Sequence, residues 1–140
     1  MNSRLTVAIH VLTWMALVEP KRQDVITSDE LANSVNTNPV VIRRILGQLR
    51  DAGLVSAQRG RGAGFTLART PDAISLLDVY RAIEPDALFS LHPATPNQAC
   101  PVGRGIQPVL RGAYQRAEEV MKEELATVSI ADVLRDTVTA

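Results

Sequence analysis

The chain has 140 residues, 46% of them hydrophobic, which is enough apolar material for the core of one compact domain. Its 15 basic and 15 acidic residues cancel in total, but they are unevenly distributed. Residues 1–70 carry nine basic and five acidic side chains, whereas residues 71–140 carry six and ten. Composition therefore excludes a wholly disordered chain and predicts different electrostatic roles for the two halves.

Cysteine content and hydropathy bear on the cellular compartment. The single cysteine, Cys100, excludes an intrachain disulfide framework and a zinc site of the multi-cysteine type. The apolar stretch 7–18 includes His10 and Thr13 and is too short to span a bilayer. Because it has neither a basic leader nor a small-residue cleavage site, we expect no signal peptide, no membrane association and a cytoplasmic protein.

The first predicted helix is capped at Asn2 or Ser3 and runs to about Val18, before Pro20. Its apolar residues form two rows on different sides of the helix. A helix that is apolar on both sides is buried on both sides. In a small domain, this pattern favours packing of part of the helix against a second subunit.

A short helix and a tight turn come next. Thr27 and Glu30 have the spacing of a capping box, which predicts a helix through Val35. Residues 36–38 are predicted to form a turn. Pro39 then stands at the first position of another helix, where proline is best tolerated.

The third predicted helix, residues 39–52, is followed by Gly53, a good left-handed cap. Its apolar face comprises Ile42, Ile45, Leu46 and Leu49. The opposite face comprises Val40, Arg44, Gly47 and Asp51, with Arg43, Gln48 and Arg50 on the flanks. This order of elements is typical of a helix–turn–helix. Gly47 costs the helix about 1 kcal/mol relative to alanine, so we expect close approach of another backbone, or of a groove wall, at that position.

Residues 54–57 and 65–67 are predicted strands, joined by a glycine-rich tip that carries Arg59 and Arg61. A hairpin directly after a helix–turn–helix is typical of a wing, although an ordinary flexible hairpin is the alternative. Arginine at such a tip fits the minor groove of a narrow A·T tract.

The segment after the hairpin contains a predicted helix and a proline-rich stretch. Ser75 and Asp78 cap the fourth helix, which stops at Pro85. Residues 85–107 hold several prolines and are predicted to be irregular.

A long helix is predicted from Pro108 to about Thr127. Its apolar residues recur at close to heptad spacing, which is typical of a dimerisation helix. They are Leu110, Ala113, Ala117, Val120 or Met121, and Leu125. Ser129 and Asp132 cap a short last helix that ends near Thr137.

Basic residues are concentrated in the window 43–69, where six arginines are accompanied by one acid, Asp51. Such a patch binds the phosphates of duplex DNA, and a major groove admits one helix. Thr37 and Asn38 stand at the start of the third helix, where backbone N–H groups can hold a phosphate. The candidate DNA contacts are Ser28, Thr37, Asn38, Val40, Arg43, Arg44, Gln48, Arg59 and Arg61.

Side-chain chemistry assigns roles on the third helix. Arg44 fits bidentate contact with guanine, Gln48 with adenine, and Val40 contact with a thymine methyl group. Arg43, on the flank, is better placed for a phosphate. The alternative is a solvated basic face on a winged-helix module that binds proteins without binding DNA. Neither His10 nor His92 has a spacing that supports catalysis, so we expect no enzyme.

Two runs carry a family resemblance. Residues 49–55, LRDAGLV, followed by residues 59–68, RGRGAGFTLA, resemble the Rrf-type winged-helix transcription regulators, the IscR-, NsrR- and CymR-like family. Residues 74–79 and 82–84 resemble the helix that follows the wing in that family. The resemblance covers essentially the whole chain. It implies a homodimer with crossing long helices and two winged domains on one operator, usually acting as a repressor.

Cluster-binding members of that family have three cysteines before the long helix, whereas this chain has Cys100 alone. We therefore expect no cofactor and no metal ligands, with an unusual iron–sulfur cluster or a metal held by His92 or a carboxylate as the minor alternative. Cys100 is either a thiol sensor, whose oxidation would release DNA, or a small packing residue. If Cys100 is a sensor, the expected signal is an oxidant, and a small-molecule signal is the alternative.

These observations predict a mainly α fold with a small β-wing. Residues 1–84 are expected to form a winged helix–turn–helix DNA-binding domain and residues 85–107 a proline-rich sensor loop. Residues 108–140 are expected to supply the dimerisation helix and a C-terminal helix.

Overall fold

The computed structural model describes residues 3–83 and 87–140. The helices are α1 (Arg4–Val18), α2 (Ser28–Val35), α3 (Pro39–Asp51), α4 (Leu76–Ile83), α5 (Pro101–Ala126) and α6 (Ile130–Val138). The strands are β1 (Val55–Gln58) and β2 (Gly64–Leu67), and short 3₁₀ turns occupy Glu19–Lys21 and Pro71–Ala73. The predicted mainly α fold with a small β-wing is confirmed. The predicted cap at Asn2 and the predicted stop at Pro85 lie outside the described residues.

The chain forms two compact units. The first comprises Met1–Pro85 together with Leu125–Ala140, and the second comprises Asp86–Glu124. The helix–turn–helix, the two strands and α6 therefore belong to the first unit.

Helix α1 is the centre of the first unit. Val11, Leu12 and Met15 are fully buried, and α2, α4 and α6 all pack against this helix. Much of the apolar surface that favoured a second subunit is thus covered by the chain's own α6. What stays open on this side is a groove of about 320 Å³ between α1 and α6, lined mainly by apolar side chains such as Ile9 and Trp14.

The three predicted capping boxes form: Thr27 with Glu30, Ser75 with Asp78, and Ser129 with Asp132. In the first, the Thr27 hydroxyl accepts the Glu30 N–H at 3.1 Å and the Glu30 carboxylate accepts the Thr27 N–H at 2.9 Å. The Thr27 N–H, assisted by Arg22, holds the pKa of Glu30 below its ordinary value. Each box satisfies orphan N–H groups where the helix begins.

The long helix begins at Pro101, so the prediction that it begins at Pro108 is wrong. Pro101 lies in the first turn, where the N–H that proline lacks would have no helical partner. Asn97 orders the residues just before the helix. The Asn97 carbonyl accepts the Cys100 N–H at 3.2 Å, and its side-chain oxygen accepts the Ala99 N–H at 2.9 Å. The helix then continues through Pro108 at the loss of one backbone hydrogen bond. The last part of the predicted irregular loop is therefore helical.

Candidate nucleic-acid interface

The buried face of α3 fixes which of its residues point outward. Ile42, Ile45, Leu46 and Leu49 are all fully buried in the core of the first unit. Burying each of these side chains contributes about 1.5–3 kcal/mol, so rotation of the helix about its axis is strongly opposed. The opposite face is consequently presented to solvent, as its sequence pattern predicts.

The turn before α3 depends on two asparagines. Asn36 adopts a left-handed conformation with φ +64°, which asparagine tolerates better than most residues. Asn38 caps α3, since its side-chain oxygen accepts the Val40 N–H at 2.8 Å. Thr37 and Ser28, two further candidate DNA contacts, are half-buried, and Ser28 is the first residue of α2.

The exposed face of α3 combines aliphatic and cationic side chains. Arg43 and Arg44 are exposed, and Val40 exposes 55% of its surface. Val41, which the sequence analysis did not single out, is 37% exposed beside Val40. Its sequence signal is a β-branched residue that lies outside the buried stripe of the helix. The first turn of α3 thus presents two adjacent apolar groups to any ligand.

Gln48 occupies a different environment from the one expected. Its side chain is half-buried, and its amide oxygen accepts a hydrogen bond from the Arg4 guanidinium of α1. Bidentate contact with adenine needs both the oxygen and the NH₂ group of the amide. Gln48 thus joins α3 to α1 in the structure, and its contact with adenine stays a prediction.

The hairpin has the geometry of a wing. Its strands pair antiparallel, from Val55 opposite Leu67 to Gln58 opposite Gly64. Gly60 and Gly62 have φ of +81° and +76°, and Arg59 and Arg61 between and beside them are exposed. The tip thus turns where glycine alone is unstrained, and it carries its two arginines into solvent.

The base of the wing lies close to the segment before α2. Ile26 and Phe65 exchange two backbone hydrogen bonds of 3.0 and 2.8 Å. A Cβ on the neighbouring Gly64 would lie 2.8 Å from the Ile26 carbonyl oxygen, so no side chain fits there. Gly64 is thus required for this close approach.

Two polar side chains, which the sequence analysis missed, hold the wing and the loop that supports it. The Glu19 carboxylate accepts the Leu67 N–H at 2.9 Å. Arg22 donates to the Val25 carbonyl at 3.0 Å and pairs with Glu30 at 3.1 Å. No short sequence spacing signals the contact between Glu19 and Leu67, because the two residues are far apart in the chain.

Ion pairing separates the six arginines of the window 43–69 into two groups. Arg50 pairs with Asp51 at 3.3 Å, and Arg69 pairs with Asp78 at 3.5 Å. The other four make no ion pair with any acidic group in the part of the chain that the structure describes: Arg43, Arg44, Arg59 and Arg61. These four exposed cations lie on the free face of α3 and at the wing tip, where an anionic ligand would reach them.

The first unit combines a helix–turn–helix, a basic helix face exposed to solvent and a wing. This combination defines a winged-helix regulator. Residues 1–136 match the Rrf2 family, described as an iron-dependent transcriptional regulator, and the chain belongs to that family. The family and the relatives found are transcriptional regulators rather than enzymes.

Individual relatives agree with this assignment. The chain is 41% identical over 134 residues to YwnA of Bacillus subtilis, named as an HTH-type transcriptional regulator, with 95% of this chain and 96% of YwnA covered. It is 38% identical to a solved structure titled as a DNA-binding protein, with a TM-score of 0.75 and coverage of 94% and 99%. The cysteine regulator CymR of B. subtilis, at 20% identity, shares the fold, with a TM-score of 0.70 and coverage of 96% and 95%.

The family description names iron, but the donor atoms of the described residues do not form a metal site. The only thiol is that of Cys100, which is half-buried directly before α5. Across residues 3–83 and 87–140, no three His, Cys, Asp or Glu side chains come together in a way that could hold a metal ion. An iron–sulfur cluster held by cysteines needs more thiolates than one chain offers.

The length and hydropathy of the helices bear on whether any of them could span a membrane. Within the described parts of the chain, none of them is both long and apolar enough to cross a bilayer.

Proposed function

We propose that this chain is a homodimeric repressor that binds double-stranded DNA sequence-specifically through α3 and the wing. The observation that carries the proposal is the group of four exposed arginines without acidic partners in the described chain: Arg43, Arg44, Arg59 and Arg61. Exposed cations that have no acidic partner in the protein bind the phosphates of DNA and release the counterions condensed on them.

Helix α3 supplies sequence recognition. Arg44 projects from its free face and donates two hydrogen bonds to a guanine, while Arg43 on the flank contacts a phosphate. Val40 and the adjacent Val41 offer apolar surface to a thymine methyl group. Asn38 fixes the first turn that carries both valines, because its side-chain oxygen accepts the Val40 N–H and its carbonyl accepts the Val41 and Ile42 N–H groups at 3.0 and 3.3 Å. Since Pro39 has no N–H, the phosphate contact predicted for the N–H groups of this turn is not supported.

The wing supplies affinity over a longer stretch of DNA. Arg59 and Arg61 at its tip enter a minor groove or bind the phosphates beside it. Because β1 follows α3 with a short connection, both elements can contact one duplex. Ile26 and Glu19 make hydrogen bonds to the wing and order it before DNA binds. The wing therefore loses less conformational entropy on binding.

Dimerisation through α5 completes the proposal. None of the 26 residues of Pro101–Ala126, all of which the structure describes, is buried. Val102, Val109 and Val120 are 66%, 68% and 65% exposed, and Ile106 lies on the same side. A second copy offers the same apolar face and covers it symmetrically. Two α3 helices would then read half-sites about 34 Å apart on a palindromic operator.

The Cys100 thiol is the proposed sensor that controls DNA binding, and no cofactor is proposed. The backbone carbonyl of Cys100 accepts the Arg104 N–H at 2.9 Å, so this residue is part of the first turn of α5. A peroxide would convert the thiolate to a sulfenic acid and itself be reduced. The larger polar group would disturb the start of the dimerisation helix. If Cys100→Ser releases DNA under peroxide as the parent does, Cys100 is a packing residue instead.

The test is selection of genomic fragments from the source organism by the purified, reduced protein, followed by sequencing. We expect a few sites that share a two-fold-symmetric motif, with affinity that falls steeply as salt rises. Recovery no better than random would support the alternative, a winged-helix module that binds proteins.

A further inference from the structure

Gly47 lies inside α3, where glycine is unfavourable, and its own chain does not explain it. Among the described residues, a Cβ built on Gly47 would meet only the Arg50 guanidinium, at 3.9 Å, which is an ordinary contact. This differs from Gly64, whose Cβ would clash with the backbone of Ile26. Since no neighbouring backbone approaches Gly47, the described chain leaves room for a side chain that would strengthen the helix.

Gly47 belongs to the free face of α3. Its spacing from Arg43, Arg44 and Val40 is four, three and seven residues, which places all four on one side of the helix. It is half-exposed, whereas the opposite face of the same helix is fully buried. Whatever requires glycine here therefore approaches from the side on which DNA is proposed to bind.

We infer that Gly47 is the point of closest approach between α3 and the DNA, and that it sets the depth at which Arg44 and Val40 meet the bases. The inference rests on the proposed function. An added methyl group projects about 1.5 Å from the helix backbone. Hydrogen bonds weaken over a few tenths of an ångström, so a helix held back by a methyl group would lose its bidentate contact with guanine. Gly47 is thus a positioning residue for sequence recognition.

The experiment compares Gly47→Ala and Gly47→Leu with Asn33→Ala in the intact protein. Asn33 is the control because it is exposed inside α2, lies outside the candidate DNA contacts and the α5 face, and alanine there also favours the helix. Thermal unfolding, sedimentation and affinity for the operator selected by the parent are measured for each variant. A second operator, with the guanine of each half-site replaced, reports discrimination.

We expect Gly47→Ala to raise Tm by a few degrees while weakening operator binding about tenfold, and Gly47→Leu to weaken it further. The penalty for replacing the guanine should shrink in both variants, a change that a purely structural role would not produce. Asn33→Ala should also raise Tm slightly, remain dimeric and bind the operator as the parent does.

Unchanged operator affinity in Gly47→Ala would overturn the inference. So would a lower Tm, because it would show that a contact within the protein requires the glycine. A parent protein that selects no operator would instead refute the proposed function, and this result is obtained before any Gly47 variant is made.

Discussion

Helices α3 and α5 are both amphipathic, but only α3 has apolar side chains that the described chain buries completely. In α3, four aliphatic side chains are fully buried and the exposed face is largely basic. In α5, across Pro101–Ala126, no residue is buried, and Val102 and Val109 are 66% and 68% exposed. The free face of α3 therefore suits a polar, anionic ligand, whereas the free face of α5 suits an apolar protein surface.

The largest expected effect comes from a charge on the α5 face. Val109→Glu would bury a carboxylate between two copies, so we expect a monomer with at least about a hundredfold weaker operator binding, because two linked half-site contacts become separate. Sedimentation and DNA titration measure both. Gln115→Glu introduces the same charge away from the face of Val109, and it should remain dimeric. If the Val109→Glu variant remains dimeric, the exposed apolar face of α5 is not the surface that joins two copies.

Truncation of Arg44 tests the free face of α3. Arg44→Ala should lose about 1–3 kcal/mol at the selected operator, because the bidentate contact with guanine disappears, and should discriminate less among sequences. The control is Arg50→Ala, since Arg50 already pairs with Asp51 at 3.3 Å. Equal losses of operator affinity in the two variants would show that an ion pair with an acidic residue does not distinguish arginines that bind DNA from those that do not.

The wing arginines should contribute affinity more than specificity. Arg59→Ala combined with Arg61→Ala should weaken binding to all sequences and reduce the slope of log affinity against log salt by about 2. Titrations of operator and scrambled DNA at several salt concentrations measure this slope. Arg69→Ala is the paired-arginine control, because Arg69 contacts Asp78 at 3.5 Å. An unchanged slope in the double variant would exclude the wing from DNA binding.

A smaller effect is expected at Val40. Replacing operator thymines with uracil removes only their methyl groups, and at one position this should weaken binding by about 1 kcal/mol. In Val40→Ala the same replacement should have less effect, since the contact is already lost. If the affinity losses from Val40→Ala and from the uracil replacement are additive, Val40 does not contact that thymine methyl. Repeating the double-mutant cycle with Val41→Ala would show which valine is involved.

The capping box of α2 gives the smallest effect, on folding alone. The pKa of Glu30 is lowered in the folded chain by the Thr27 N–H and then by Arg22, so its ionised form stabilises the fold. That stability is complete above the unfolded pKa of about 4.3 and is lost as pH falls through the folded pKa. Glu30→Ala should therefore lower the free energy of unfolding by about 1 kcal/mol at pH 7 and by less at pH 3.

Urea unfolding at the two pH values measures this difference. Glu30→Gln keeps a side-chain acceptor for the Thr27 N–H and should lose less than Glu30→Ala at pH 7. If the loss in Glu30→Ala is as large at pH 3 as at pH 7, the carboxylate charge does not contribute.

Local elements could be predicted because their determinants are close in sequence. The caps at Thr27, Ser75 and Ser129 each depend on a residue three positions later, and the turns of the wing tip on its own glycines. The start of α5 was missed because proline inside a helix usually ends it, whereas here the hydrogen bonds of Asn97 begin the helix before Pro108 is reached.

The sequence by itself determined the order of elements, the buried stripe of α3 and the concentration of arginine in residues 43–69. Only the tertiary structure decided which arginines keep a free charge, since Arg69 meets Asp78 in space. It also decided that Gln48 bonds to Arg4 and that Glu19 holds the wing. The physical reason is range: caps and helical periodicity act over a few residues, whereas ion pairs and side-chain hydrogen bonds join groups that the fold brings together from distant positions.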